Sequence, residues 1–238
     1  PRPHPAFYFS HIRFKEASHG LQHKKSSRED GEETKEKLIE CAGRLIAAQG
    51  YDRTTSKEIC RLAGVNLASV NYHFGSREGL YRAVLENVCE HIMPLPTILG
   101  VVKAPLSARE KLMKFMDMYI KEAFFSNSWQ IQVSIRELVN PSTIFMEYAD
   151  HTIREKLNPV LAVLADYMGL PATDRRVSQC FLAAISPFLI FLLSSHHQLG
   201  HLFYGLSGKE EKKLKEETDM IKTFVMAGVD RMVEEWKK

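Results

Sequence analysis

The sequence predicts an all-α protein made of a small N-terminal helical domain and a larger C-terminal helical bundle. Apolar residues recur at intervals of three and four along most of the chain, and no segment shows convincing strand alternation. Three prolines, Pro94, Pro96 and Pro105, interrupt this pattern and mark the best domain boundary. A chain of 238 residues, 45% hydrophobic and 26% charged, is long enough for one or two domains with buried cores.

The first segment, residues 1–33, differs from the rest of the chain. It begins with prolines, lacks helical periodicity and passes from basic to acidic residues. We interpret it as a disordered arm or a vector-derived remnant. It has no apolar stretch of the kind that a secretory signal requires.

A helix is predicted over Thr34–Gln49, where the N-terminal domain (34–93) begins. Thr34 is its expected N-cap, Gly50 ends it, and Glu40 is expected to face water. One face carries an apolar stripe: Leu38, Ala42, Leu45 and Ile46.

The stretch Thr55–Leu80 is typical of a helix-turn-helix followed by the start of another helix. Ser56 or Thr55 can cap a short first helix, and Gly64 suits the left-handed turn that ends it. Asn66 then caps a second short helix, Leu67–Phe74. Two helices joined in this way can place the second in a DNA major groove, although an ordinary helical hairpin has the same turn chemistry.

The second helix has one apolar face and one hydrogen-bonding face. Val70 and Phe74 lie four residues apart and can anchor it to the domain. Gly75 ends it, and Arg77 follows in the first turn of the next helix, where a guanidinium can hold a phosphate. The outward-facing residues are small or can form hydrogen bonds: Ala68, Ser69, Asn71, Tyr72 and His73.

The residues T-T-S-x-x-I-C-x-x-A-G-V-x-x-x-x-V-N-Y-H-F-G-S-R-E-G-L closely resemble the N-terminal domain of the TetR family of bacterial transcriptional regulators. The resemblance covers about sixty residues. It departs from the commoner family pattern at Asn71, where a Tyr is usual, and at Arg77, where a Lys is usual. The resemblance implies that the chain binds a double-stranded DNA operator. The net charge of +3 is mild, so the affinity must come from local placement of charge.

We therefore predict two kinds of DNA contact by the hairpin. Ala68, Ser69 and Tyr72 meet base edges. The DNA backbone is held by Thr55, Ser56, Lys57, which can also reach a base, Asn71, His73 and Arg77. A basic arm formed by residues 1–33 is a further, less favoured contact.

Helical patterns continue after a linker predicted at 94–107. Within the C-terminal domain (108–238), the apolar run Phe181–Leu193 is shorter than the roughly twenty residues that span a membrane, so a buried helix is favoured and no membrane contact is expected. The final helix is amphipathic. In the resembling family the last two helices pair with those of a second copy, which implies a homodimer.

The segment SIRELVNPSTIF and a later G-L-P ending resemble the CecR branch of the same family. This resemblance implies a pocket for an unknown small-molecule effector. Aromatic and Met residues at helical spacing are also typical of an ordinary core, and Arg136 with Glu137 could form a structural ion pair instead of orienting a ligand. The candidate ligand-binding residues are Met116, Tyr119, Arg136, Phe145, Tyr148, Phe188 and Phe191.

The sequence favours no cofactor, metal site or enzyme. The four cysteines are far apart, which indicates free thiols in a reducing cytoplasm. His196, His197 and His201 could approach a metal, but a polar patch at a helix end is favoured. We found none of the common catalytic motifs.

The function predicted from these observations is a dimeric, cytoplasmic repressor that an effector releases from a palindromic operator. Two alternatives stay open. One is a constitutive DNA-binding protein without an effector, and the other is a helical protein that binds or converts small molecules and whose hairpin is only structural.

Overall fold

The computed structural model describes residues 27–126, 128–196 and 211–236. These residues form ten α-helices and no strand, which confirms the predicted all-α class. The helices are α1 Ser27–Gln49, α2 Ser56–Ala63, α3 Ala68–Phe74, α4 Arg77–Ile92, α5 Leu95–Lys103, α6 Ala108–Phe125, α7 Trp129–Val139, α8 Thr143–Met168, α9 Arg175–His196 and α10 Glu211–Trp236.

The N-terminal domain packs α1 to α4 around one buried cluster. Helix α1 begins at Ser27, so Thr34 is not its N-cap. The Thr34 hydroxyl instead donates to the Asp30 carbonyl at 2.8 Å, within the helix. The predicted arm was therefore too long by the helical residues 27–33, and residues 1–26 lie outside the described part of the chain. The cluster contains Leu38, Ala42, Ile46, Ile59, Ala63, Val70, Leu80, Val84 and Leu85.

The C-terminal domain packs α5, α6, α8, α9 and α10 around a second core. The predicted linker 94–107 contains α5, and its Ile98 is fully buried in that core. The sequence interpretation missed this helix because Pro94 and Pro96 suggested a break, whereas proline is tolerated in the first turn of a helix. Helix α8 spans the predicted residues Thr143–Met168 and ends at Gly169, which has a φ of +66°.

Helix α7 joins the two domains. The Trp129 indole N–H donates to Glu40 on α1 at 2.7 Å, so Glu40 does not only face water as predicted. A Cβ atom on Gly43 would lie 2.4 Å from the Trp129 ring, which explains why the smallest residue is needed there. Val133 of α7 is fully buried among the residues of the N-terminal core.

Helix α9 is longer than the predicted run Phe181–Leu193, because it also contains the more polar residues on either side of that run. Among the described residues, its segment Arg175–Ser194 is the one that could cross a membrane by length and composition, a test that the core helix of a soluble protein also passes. Val177, Cys180 and Phe188 are buried against neighbouring helices. Leu182 and Ile190 are exposed.

All four cysteines are free thiols, as the sequence predicted. Cys41, Cys60 and Cys180 are buried, and Cys89 is half-buried. Burial raises the pKa of all four thiols, so each is a protonated, weakly reactive group at neutral pH.

Candidate nucleic-acid interface and helical cavity

The first helix of the predicted helix-turn-helix begins with a capping box. Thr55, not Ser56, is the N-cap: its hydroxyl accepts from the Glu58 backbone N–H at 3.2 Å, and its own N–H donates to the Glu58 carboxylate at 3.0 Å. At the other end Gly64 takes a left-handed φ of +68°, and the Val65 N–H closes the turn on the Cys60 carbonyl. These bonds fix the angle at which the next helix leaves.

Helix α3 presents polar side chains outward, as predicted. The Asn66 side chain accepts from the Ala68 N–H at 2.9 Å and so caps the helix. Val70 is buried and anchors the helix, whereas Tyr72 is 83% exposed and makes an edge contact with the ring of His73. An aromatic side chain this exposed is available to contact a partner.

The remaining predicted DNA-contacting residues lie around α3 on the same hairpin. Ala68 and Asn71 are exposed, and Ser69 and His73 are half-buried. On α2, Thr55 and Lys57 are exposed and Ser56 is half-buried. The hydroxyl of Thr55 also donates to Glu58, so it is already engaged within the chain.

Arg61 is a further candidate that the sequence interpretation did not include. It is exposed and lies four residues after Lys57, on the same face of α2. The signal in the sequence is the spacing K-x-x-x-R, which places two cations along one side of a helix beside α3. Both groups suit phosphate contacts.

Arg77 has a structural role that the sequence did not reveal. Its guanidinium donates to the carbonyls of Tyr51, at 3.3 Å, and Thr54, at 2.8 Å, and it lies 4.2 Å from the centre of the Tyr51 ring. It therefore ties the start of α4 to the turn before α2. Next to it Gly79 has no room for a side chain, because a Cβ atom would lie 2.0 Å from the Phe74 carbonyl oxygen.

Arg77→Ala is expected to lower the free energy of unfolding by about 1–3 kcal/mol, because it removes two hydrogen bonds from a charged donor and a cation–π contact. Urea denaturation measures this change. Arg77→Lys is the matched control: it keeps the charge but not the fork geometry, and should recover only part of the loss. An alanine variant as stable as the wild type would show that these contacts do not support the turn.

The helices of the C-terminal domain and the end of α4 line a partly open cavity of about 410 Å³, to which α4, α5, α6, α8, α9 and α10 contribute. Of the predicted ligand-binding residues, Met116, Tyr119 and Phe188 line it. Cys89 and Lys156 also line it and were not anticipated. This volume lies within the range of small-molecule sites.

The other four predicted ligand-binding residues lie elsewhere. Phe145 and Tyr148 pack against the N-terminal core, and Phe191 packs on the ring of Phe124, 5.1 Å away. Arg136 donates to the carbonyls of Ala47 and Ala48, both at 2.9 Å, at the end of α1. None of these four is among the residues that line the cavity in the described part of the chain.

Within the described residues, no group of three or more His, Cys, Asp or Glu side chains is placed to hold a metal ion. The side chains of His196, His197 and His201 lie outside the described part of the chain.

Family models match both halves of the sequence. Residues 38–84 match the bacterial regulatory proteins of the tetR family, and residues 108–229 match the C-terminal domain of the HTH-type transcriptional dual regulator CecR. The chain belongs to the TetR family. Members are DNA-binding transcriptional regulators, generally repressors, and they act as dimers.

Individual relatives agree with this membership. The HTH-type transcriptional dual regulator CecR of Shigella flexneri is 25% identical over 223 residues, which are 86% of this chain and 93% of that protein. The negative regulator IcaR of the Staphylococcus epidermidis biofilm operon icaADBC is 38% identical over 53 residues, 22% of this chain and 29% of IcaR. A TetR-like transcriptional regulator from Rhodococcus sp. RHA1 shares the fold, with a TM-score of 0.57, 12% identity and coverage of 83% of this chain and 96% of that one.

In this TetR-family chain a buried hydrogen-bonded group connects the N-terminal domain to the C-terminal one. The hydroxyl of Tyr81 on α4, which is almost fully buried, donates to the Glu137 carboxylate of α7. The other oxygen of Glu137 accepts from the Ser142 N–H at 2.7 Å. Burial and the Glu137 carboxylate raise the pKa of Tyr81, which therefore remains a donor at neutral pH.

The sequence interpretation did not include this group. It treated Tyr81 as part of an apolar pattern and paired Glu137 with Arg136. That pairing was wrong, because neighbouring residues on a helix point in different directions and each of the two finds a partner on another helix.

Proposed function

We propose that this TetR-family protein is a repressor that binds a palindromic operator as a homodimer and leaves it when an effector enters the C-terminal cavity. The observation that carries the proposal is the exposed polar face of α3 with Tyr72 at its centre, held by the capped turn before it and by the Arg77 contacts behind it. A helix mounted in this way fits the major groove.

The candidate DNA-contacting residues of the hairpin, some exposed and some half-buried, have two roles. Ala68, Ser69 and Tyr72 contact base edges and thymine methyl groups. Lys57, with Arg61 four residues later, reaches phosphates, and Lys57 can also reach a base. Further contacts with the DNA backbone come from Thr55, Ser56, Asn71, His73 and Arg77.

Dimerisation uses the outer faces of α9 and α10. Leu182 and Ile190 on α9, and Met220 and Phe224 on α10, are large apolar side chains that are each more than half exposed. The two helices pack on one another, and a second copy that covers these faces removes that apolar area from water. A two-fold pair then presents two α3 helices about 34–36 Å apart, one turn of DNA.

The cavity is placed to influence the DNA-binding domain through α4. Cys89 and Ile92, near the end of α4, form part of its wall, and Lys156 of α8 donates to the Cys89 carbonyl at 2.9 Å. A ligand that fits better when α4 is shifted favours that state. It lowers DNA affinity by the difference between its affinities for the two states.

Selection of bound fragments from a random duplex pool tests the proposal. The expected result is enrichment of an inverted repeat with half-sites about one helical turn apart. Enrichment of a motif without two-fold symmetry, or no enrichment in low salt, would count against it.

Tyr72→Ala is expected to weaken binding to the selected duplex by about 1–3 kcal/mol and to leave binding to random duplex unchanged, because Tyr72 reads bases. Its exposure means that the substitution should not destabilise the fold. Fluorescence anisotropy with both duplexes measures the effect. Lys57→Ala is the matched comparison and should weaken both complexes and reduce the salt dependence. Equal losses on both duplexes for the Tyr72 variant would rule out base reading by this residue.

A further inference from the structure

The C-terminal cavity has an almost wholly apolar wall. It is built from aliphatic, aromatic and methionine side chains of six helices, among them Leu112, Phe115, Val160 and Met226. Lys156 is the one charged residue among the described residues that line it. Whether this cavity can accept a charged ligand therefore depends on whether the Lys156 ammonium is already paired within the protein.

The charge of Lys156 is already neutralised by the protein. Its Nζ lies 2.6 Å from a carboxylate oxygen of Glu90 and 2.9 Å from the carbonyl oxygen of Cys89. Both partners belong to the end of α4, so the ammonium is directed to α4 and the methylene stem contributes to the cavity wall. A ligand carboxylate would have to displace Glu90 or remain unpaired among apolar groups, and either event is unfavourable.

Tyr119 supplies a hydroxyl group that no other described residue engages. Its ring packs edge-on against Phe188, with centroids 6.2 Å apart, and both residues line the cavity. Its hydroxyl forms no hydrogen bond with the rest of the described chain, and burial raises its pKa to about 12. It is therefore a neutral phenol at physiological pH, able to donate to one oxygen of a ligand.

From these contacts we infer that the cavity takes an uncharged, mostly apolar molecule with a single hydrogen-bonding oxygen, which meets the Tyr119 hydroxyl. The cavity discriminates against carboxylates and ammonium compounds of the same length. Tyr119 is the residue that distinguishes the oxygen-bearing ligand from a hydrocarbon of equal size. This inference rests on the proposed function, because it assigns the chemical class of the proposed effector.

Four probes of equal chain length test the inference on the full chain without DNA: 1-octanol, 1-chlorooctane, octanoate and octylammonium. Isothermal titration calorimetry at pH 7.5 gives each dissociation constant. We expect 1-octanol to bind at least about tenfold more tightly than either ion. Octanoate binding as tightly as 1-octanol, or no heat from any of the four probes, would overturn the inference.

Two variants separate the contributions of Tyr119 and Lys156 to ligand binding. Tyr119→Phe should weaken the binding of 1-octanol about five- to tenfold and leave the affinity for 1-chlorooctane unchanged. Lys156→Met should still bind 1-octanol more tightly than octanoate. If octanoate binds the wild type and loses its affinity in Lys156→Met, the cavity is an anion site and the inference is wrong. Tyr167→Phe is the control, because the Tyr167 hydroxyl donates to Asp230 outside the cavity wall.

A second measurement distinguishes this inference from the proposed function. Anisotropy of a labelled operator duplex is recorded with the protein at saturating 1-octanol. If 1-octanol binds as expected but DNA affinity does not change, the ligand class stands and release by this effector class is refuted. If DNA affinity falls with octanoate and not with 1-octanol, the ligand class is refuted and release by an effector is supported.

Discussion

Phe224→Asp is expected to leave the chain folded and monomeric, and to reduce operator affinity by at least about a hundredfold, since each monomer then binds one half-site alone. Phe224 is 70% exposed, so the fold does not need it, whereas in the proposed dimer it is covered by a second copy. A carboxylate at this position places an unpaired charge in an apolar contact. Sedimentation velocity at micromolar concentration measures the change in mass.

Met146→Asp is the matched control for this substitution. Met146 is also an exposed large apolar residue, but it lies at the start of α8, where its neighbours Ile144 and Phe145 pack against the N-terminal core. This variant should remain a dimer with normal affinity. If the wild type itself sediments as a monomer, or Phe224→Asp remains dimeric, the interface is wrongly placed.

Glu137→Leu is expected to lower the free energy of unfolding by about 2–5 kcal/mol. The substitution leaves two donors without an acceptor, the buried Tyr81 hydroxyl and the partly buried Ser142 N–H, and an unsatisfied buried donor costs about 1–3 kcal/mol. Thermal or urea denaturation measures the loss. Because the same contact joins α4 to α7, the variant should also weaken the effect of a ligand on DNA affinity.

A double-mutant cycle with Tyr81→Phe isolates the contact itself. Tyr81→Phe removes the donor and keeps the buried ring, and the double variant should be less destabilised than the sum of the two single variants by about 0.5–3 kcal/mol. Glu137→Gln is the conservative control, since its amide oxygen can still accept from Tyr81. Strict additivity would show that the two side chains do not stabilise each other.

The all-α class and the helix-turn-helix could be predicted from the sequence because their signals are local. Gly64 follows the last apolar residue of α2, and Thr55 and Glu58 have the spacing of a capping box. The start of α1 was missed because residues 27–33 are polar and acidic and have no apolar stripe, so periodicity could not detect them. Helix α5 was missed because its prolines were interpreted as a break.

The contacts between distant segments could not be predicted in this way. Arg77 and Tyr51 are 26 positions apart, and Tyr81 and Glu137 are 56 apart, so no local pattern indicates their pairing. Lys156 follows Arg154 and Glu155 in a charged part of α8, and only the three-dimensional structure shows that its ammonium is directed to the end of α4. The ligand candidates were chosen as aromatic and Met residues, and such residues lie in the core as readily as in a cavity wall.

The account's central claim is that two copies of this chain read two half-sites at once through α3. The most direct measurement compares anisotropy titrations of the selected operator with those of the same operator carrying about five extra base pairs, half a turn, between its half-sites. We predict that the insertion reduces affinity to that of a duplex with one half-site. Equal affinity for the intact and the lengthened operator would contradict the account.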